Sequence, residues 1–207
     1  MRNQEETMST NNSLKTREKG PDLITPNWRQ SAKITQQYGT VVKDMPIGLP
    51  TEARQEMVDR LNLLLADTIT LRDLYKKSHW QVAGPTFYQL HLLFDKHADE
   101  QGELVDTIAE RIQLLGGVSI AMAHDVAANT RLERPPIDRE EVPVQISRLL
   151  EAHNSIMKDV RELADRANDL KDLGTNDMVV SDVLRTNELQ AWFISEHLVE
   201  MPLVFAK

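Results

Sequence analysis

From Thr51 to Leu198, apolar side chains return at steps of three and four residues, broken only by short turns and one long connection. That period gives a helix one apolar stripe, and several such helices must bury their stripes against each other. In the first stretch Met57, Leu61, Leu64, Thr68, Leu71 and Tyr75 share a face. It starts at Thr51, where Thr51-Glu52-Ala53 reads as a capped beginning, and reaches about Gln81. Ala83-Gly84-Pro85-Thr86 reads as a tight turn carrying the next N-cap. The second helix runs from about Phe87 to Leu115 and stops at Gly116-Gly117. A long connection follows from Val118 to Pro136, with one short helix around Ile120 to Ala128. The third helix carries Ile146, Leu149, Leu150, His153, Ile156, Val160, Leu163, Ala167 and Leu170. The fourth starts at Thr175 or Asn176, carries Val180, Val183, Leu184, Asn187, Ala191, Ile194 and Leu198, and closes at Pro202.

No strand pattern and no internal repeat accompanies these helices. The short links make two antiparallel pairs, and the long one is a single crossover. This predicts an all-α, ferritin-like four-helix bundle over residues 51–202, with a short helix in its crossover. Residues 1–50 hold Gly20, Pro21, Pro26, Gly39, Pro46, Gly48 and Pro50 and no sustained helical period. They read as a mobile tail to about Asp22 and an irregular arm after it, with a short C-terminal tail over 203–207.

Composition narrows the chemistry. There are no cysteines, which excludes thiolate metal sites, disulfides and cysteine nucleophiles. No apolar run approaches the roughly 18–20 residues of a membrane span, and Met1 to Asn12 lacks the apolar core of a secretory signal. A cytoplasmic location is the expectation. The net charge is −8, which argues against a generally basic nucleic-acid binder. Residues 1–50 alone carry seven basic and five acidic side chains, a mild excess of +2.

The metal-capable side chains fall in a pattern. His91 and Asp95 are four apart on the second helix, as are Asp106 and Glu110, so each pair shares a face. Asp95 and Asp106 lie about 16 Å apart along the axis, too far for one ion to bridge. An antiparallel second copy, pivoting at (95 + 106)/2 = 100.5, brings His91 and Asp95 of one subunit opposite Asp106 and Glu110 of the other. Gly102 sits almost on that pivot: close approach of two backbones would explain its cost of roughly 1 kcal/mol, while one tolerated glycine in a long helix is also ordinary. The turn near 84–85 puts His79 level with position 90 or 91. Two imidazoles and three carboxylates form a mixed set suited to iron.

The stretches His79-Trp80-Gln81-Val82-Ala83-Gly84-Pro85-Thr86-Phe87, Leu90-His91-Leu92-Leu93-Phe94-Asp95 and Val105-Asp106-Thr107-Ile108-Ala109-Glu110-Arg111, ending Leu115-Gly116-Gly117, resemble the signature of the Dps family, the mini-ferritins. The similarity covers roughly Leu61 to Glu200. It implies that His79, His91 and Asp95 of one subunit, with Asp106 and Glu110 of its two-fold mate, form a ferroxidase centre in a hollow homododecamer that stores ferric mineral. It also implies Fe²⁺ and Fe³⁺ as the metal, as two irons or one iron and a water, with zinc as a competitor, and hydrogen peroxide or oxygen as oxidant. None of the six histidines has Glu three positions before it, so a centre inside one bundle is not supported.

Other polar residues read more plainly. His97, Asp99, Glu100 and Glu103 are expected on a solvated or cavity-facing surface, His153 in the core, and Trp80 in a subunit interface. Asp169, Asp172, Asp177 and Asp182 cluster at the link between the third and fourth helices, where the resemblance implies acid-lined iron-entry pores. The alternative function is DNA binding through the N-terminal arm, an electrostatic mode that the small positive excess supports only weakly.

Overall fold

The computed structural model describes Pro26 and residues 28–200. The tail to Asp22, the closure at Pro202 and the segment 203–207 therefore lie outside the described residues. Among the described residues, those up to Ile34 belong to a separate unit, in which Trp28 N–H donates to the Pro26 carbonyl and the Arg29 guanidinium lies 4.3 Å over the Trp28 ring. From Thr35 onward the chain forms one compact unit.

Its long helices are α1 (Thr51–Gln81), α2 (Phe87–Leu114) and α4 (Val142–Asp169), with the short α3 (Ala123–Asn129) in the crossover. The fourth rod is composite: α5 (Leu173–Met178), a π-helical stretch over Val179–Leu184, α6 (Arg185–Ser195) and a final 3₁₀ turn. None of the described residues forms a strand. Among them, no helix is long and apolar enough to cross a membrane. Helix α1 packs against α2, α3 and α4, and α4 packs against both halves of the composite rod. The core is one cluster in which Met57, Leu61, Leu65, Leu71, Leu90, Phe94, Ile108, Ile156 and Ile194 are fully buried. The fold is the expected four-helix bundle.

Three local readings are corrected. Thr51 does not cap α1: Pro50 occupies the N-cap, and Thr51 Oγ1 instead accepts from Arg54. The fourth rod begins at Leu173 rather than Thr175, because Asp172 is its N-cap and accepts from the Thr175 N–H at 3.0 Å. The π-helical stretch turns Val179 and Val183 fully inward and leaves Val180 and Leu184 half-buried. Downstream, Asn187, Gln190 and Ile194 face the core, where a regular helix had placed Ala191.

The chain turns at both ends of α2 are held by main-chain bonds: before it, Val82 N–H donates to Ser78 O at 2.8 Å and Phe87 N–H to Gly84 O at 3.0 Å. After α2, Gly116 N–H donates to Gln113 O at 2.8 Å and Gly117 N–H to Ile112 O at 2.9 Å, with Gly116 at φ +81°. This is a Schellman closure, which needs the left-handed conformation glycine adopts without strain. Gly117 is required for space: a Cβ there would lie 2.6 Å from both Val58 methyls. The crossover is pinned by buried Asp67, whose carboxylate accepts from Thr130 Oγ1, the Arg131 N–H and the Arg131 guanidinium.

Candidate metal centre

The turn Val82–Thr86 returns the chain so that the last turn of α1 lies beside the second turn of α2. His79 and His91 meet there as stacked rings, 3.8 Å between centroids and 19° between planes. Each ring reaches the other's main chain: His79 Nδ1 lies 2.7 Å from His91 O, and His91 Nδ1 lies 2.9 Å from His79 O. His79 O is available because the last four carbonyls of a helix lack partners within it. A carbonyl only accepts, so in the neutral rings both Nδ1 atoms carry the proton. Both Nε2 atoms are then lone pairs. This is how proteins fix a histidine tautomer for a metal.

Asp95 lies one turn along α2 from His91, and its Oδ1 is 3.7 Å from His79 Nε2. The same oxygen is 2.6 Å from Lys76 Nζ, which also reaches Asp99 at 3.4 Å. The Lys76 ammonium holds the Asp95 carboxyl below its ordinary range, and that hydrogen bond in turn raises Lys76. Phe87 packs against His91, 5.0 Å between centroids. Trp80 beside His79 is 72% exposed in the single chain, and Phe87, Tyr88 and Leu92 are also exposed, so this end of the α1–α2 pair presents uncovered aromatic and apolar side chains.

The chain thus brings together His79, His91 and Asp95. Asp106 and Glu110 are exposed on α2, about three and four turns beyond Asp95. Among the described residues, no group of three or more histidine and acidic side chains in one chain is gathered closely enough to hold an ion. Between the two halves of the set lies Gly102, where an added Cβ would meet nothing within 4 Å.

Residues 58–204 match the ferritin-like domain. DpsC from Streptomyces coelicolor superposes with a TM-score of 0.82 at 55% identity, covering 84% of this chain and all of that one. The chain belongs to the Dps family. A protein of Kitasatospora aureofaciens is 52% identical over 71% of this chain and 97% of its own length. A Nostoc protein named as a nutrient stress-induced DNA-binding protein is 30% identical over 81% of this chain and 90% of its own length.

Within this Dps chain, His97 and Asp172 depart from their expected places. His97 is fully buried rather than solvated, because it falls on the inward stripe of α2 with Phe94, Gln101 and Leu104. His153 is in the core, as expected. Of the four aspartates near the link after α4, Asp172 is buried against the Arg111 guanidinium and Thr175, so it is structural. Asp169, Asp177 and Asp182 remain exposed. Lys76 escaped the sequence reading, although its position three residues before His79 places it on the same face of α1.

Proposed function

We propose that this Dps-family chain oxidises Fe²⁺ at centres shared between two-fold related subunits and stores the Fe³⁺ product as mineral inside a hollow cytoplasmic homododecamer. His79 Nε2, His91 Nε2 and Asp95 supply one half of each centre. Asp106 and Glu110 of the partner subunit supply the other. Two neutral imidazoles with carboxylates make a nitrogen–oxygen set suited to iron, with zinc as a competitor. Hydrogen peroxide is the oxidant of this reading: two Fe²⁺, one peroxide and two protons give two Fe³⁺ and two waters.

The observation that carries this reading is the reciprocal pairing of His79 and His91 through their Nδ1 atoms and main-chain carbonyls, which leaves both Nε2 lone pairs free, that of His79 3.7 Å from Asp95 Oδ1. A packing role for two stacked imidazoles would not require both tautomers to be fixed. Support for the shared geometry comes from the separation of Asp95 and Asp106 along α2, the open space at Gly102 and the exposed apolar side chains beside the site. The test is peroxide-driven Fe²⁺ oxidation in the wild type and in a His79→Gly, His91→Gly double variant, with assembly checked by scattering. Slowed oxidation in an intact shell supports the reading, and unchanged kinetics reject it.

DNA protection is a second reading, favoured by the DNA-binding name of the Nostoc relative. The excess of +2 over residues 1–50 would then act through many weak, salt-sensitive arms on one shell. A low-salt gel shift with and without residues 1–22 separates it from iron oxidation.

A further inference from the structure

Tyr75, His97 and His153 meet inside the bundle, and all three are fully buried. Tyr75 Oη lies 2.5 Å from His153 Nε2. His153 Nδ1 lies 2.8 Å from Asn187 Oδ1, and Asn187 Nδ2 donates to the Val183 carbonyl at 2.7 Å. The Val183 carbonyl fixes which end of the Asn187 amide is oxygen. That oxygen only accepts, so neutral His153 carries its proton on Nδ1 and offers a lone pair at Nε2. The Tyr75 hydroxyl therefore donates to His153. His97 Nδ1, 3.2 Å from the same phenol oxygen, can donate to it in turn. Burial keeps the pair neutral, pushing Tyr75 well above its usual range and His153 down to about 4.

A phenol bonded to a neutral imidazole can lose an electron while its proton crosses a short, preformed bond. Oxidation makes the phenol far more acidic than any imidazolium, so the proton moves to His153 only when the electron leaves. Tyr75 is also close to the candidate centre. It stands one helical turn before His79, about 6 Å along the axis, and the helix bond from the His79 N–H ends on the Tyr75 carbonyl. On the α2 side its ring lies 6.0 Å from Phe94, the residue before Asp95.

We propose that Tyr75 is a one-electron donor to iron oxidation at this centre, with His153 Nε2 holding the phenolic proton while the electron is away. The inference rests on the ferroxidase reading of His79, His91 and Asp95. When one Fe²⁺ meets hydrogen peroxide, the O–O bond breaks, iron gives one electron, and one oxygen leaves as hydroxide. The other oxygen would escape as hydroxyl radical. It instead takes one electron from Tyr75 and a proton from solvent, and leaves as water. The Tyr75 O–H bond breaks and an N–H bond forms on His153 Nε2. A second Fe²⁺ returns an electron to the phenoxyl, the proton moves back, and solvent protonates the hydroxide. The sum is two Fe²⁺, one peroxide and two protons to two Fe³⁺ and two waters. A centre holding a single iron thus handles two electrons without releasing a radical.

The test uses the full-length assembled protein, loaded without oxygen with one Fe²⁺ per centre, mixed with hydrogen peroxide and frozen. Electron paramagnetic resonance and iron oxidation are read from the same samples. The chain has three tyrosines, of which Tyr38 and Tyr88 are exposed. A tyrosyl signal is expected in the wild type, narrowed by ring-deuterated tyrosine, retained in Tyr38→Phe and Tyr88→Phe, and lost in Tyr75→Phe. Spin-trapped hydroxyl radical should rise several-fold in Tyr75→Phe. His153→Gln can accept the phenol's bond but cannot hold its proton, so the radical yield should fall. High-field spectra of the wild type, which need no variant, should show a strongly hydrogen-bonded radical. Iron oxidation with no tyrosyl signal, or with the signal intact in Tyr75→Phe, overturns this inference and leaves the ferroxidase reading standing. A wild type that oxidises no iron overturns both.

Discussion

Lys76 and Asp95 face each other across the α1–α2 pair at 2.6 Å, so the carboxylate best placed to receive a metal already holds a cation. Asp99, 3.4 Å from the same ammonium, offers Lys76 somewhere to go. On the proposed reading, metal entry at this site is an exchange of one cation for another, and Lys76 opposes it.

Removing the opposing charge should therefore tighten metal binding. A unit charge about 4 Å from a divalent ion in water is worth about 2 kcal/mol, or roughly thirtyfold in affinity. Lys76→Met should bind Zn²⁺, a redox-silent probe, about that much more tightly by calorimetry, and the gain should shrink as salt is added. Equal or weaker binding would show that Lys76 organises the site rather than competing for it.

A shared centre makes a distinctive prediction about mixed shells. Asp95→Ala and Glu110→Ala subunits each damage every centre of their own assemblies. In a mixed dimer one centre collects both defects and the other has none. Random mixing gives about half mixed dimers, so about a quarter of all centres should recover. Initial Fe²⁺ oxidation after dissociation, mixing and reassembly measures this. With mixing confirmed by mass spectrometry, a rate no better than the parents' average means that the centre lies within one subunit.

The buried His153 sets a stability limit in mild acid. Burial lowers its pKa from 6.5 to about 4. The unfolded chain then binds more protons than the folded one between those values. The contribution is fully present above pH 6.5, declines as pH falls, and is lost at about pH 4. It amounts to about 3 kcal/mol at 1.36 kcal/mol per unit. Glu56, lowered to about 2 by the Arg166 guanidinium, acts in the same direction but only below its ordinary value of 4.5. Denaturant midpoints of the wild type should fall between pH 6.5 and 4, and His153→Gln should flatten that slope. An unchanged slope in the variant assigns the acid sensitivity elsewhere.

The end of α2 offers a packing test. Gly117→Ala would set a methyl 2.6 Å from Val58 Cγ1 and Cγ2, and forcing such a contact costs about 1–3 kcal/mol. Val58→Ala removes the obstructing methyls. The double variant should be more stable than the two single losses sum to, as a denaturation cycle would show. Additive losses would mean that the clash is relieved by backbone movement.

How much of this was legible depended on whether a signal was local. That His79 lies level with His91 could be counted from the turn, since Gly84-Pro85 fixes where the chain reverses, but the stacking of their rings could not. The bundle followed from periodicity. His97 was misplaced because its acidic neighbours Asp99, Glu100 and Glu103 suggested a wet face, although Leu90, Phe94, Gln101, Leu104 and Ile108 mark an inward stripe that includes it. Asp172 was available as a cap by residue type, three positions before Thr175. The π-helical stretch over Val179–Leu184 has no residue signature. It shifts the inward stripe beyond Asn187, which meets His153, so that Gln190 is buried in place of Ala191.

The two imidazoles are oriented by atoms that every residue possesses. Neighbouring side chains can therefore drift without turning either ring, because the acceptors at positions 79 and 91 are peptide oxygens. No point replacement outside the pair deletes those acceptors. What could misalign them is a gain or loss of a residue in the turn between α1 and α2, which would slide one helix past the other. Across diverging descendants of this chain, the length of that turn should vary less than its composition.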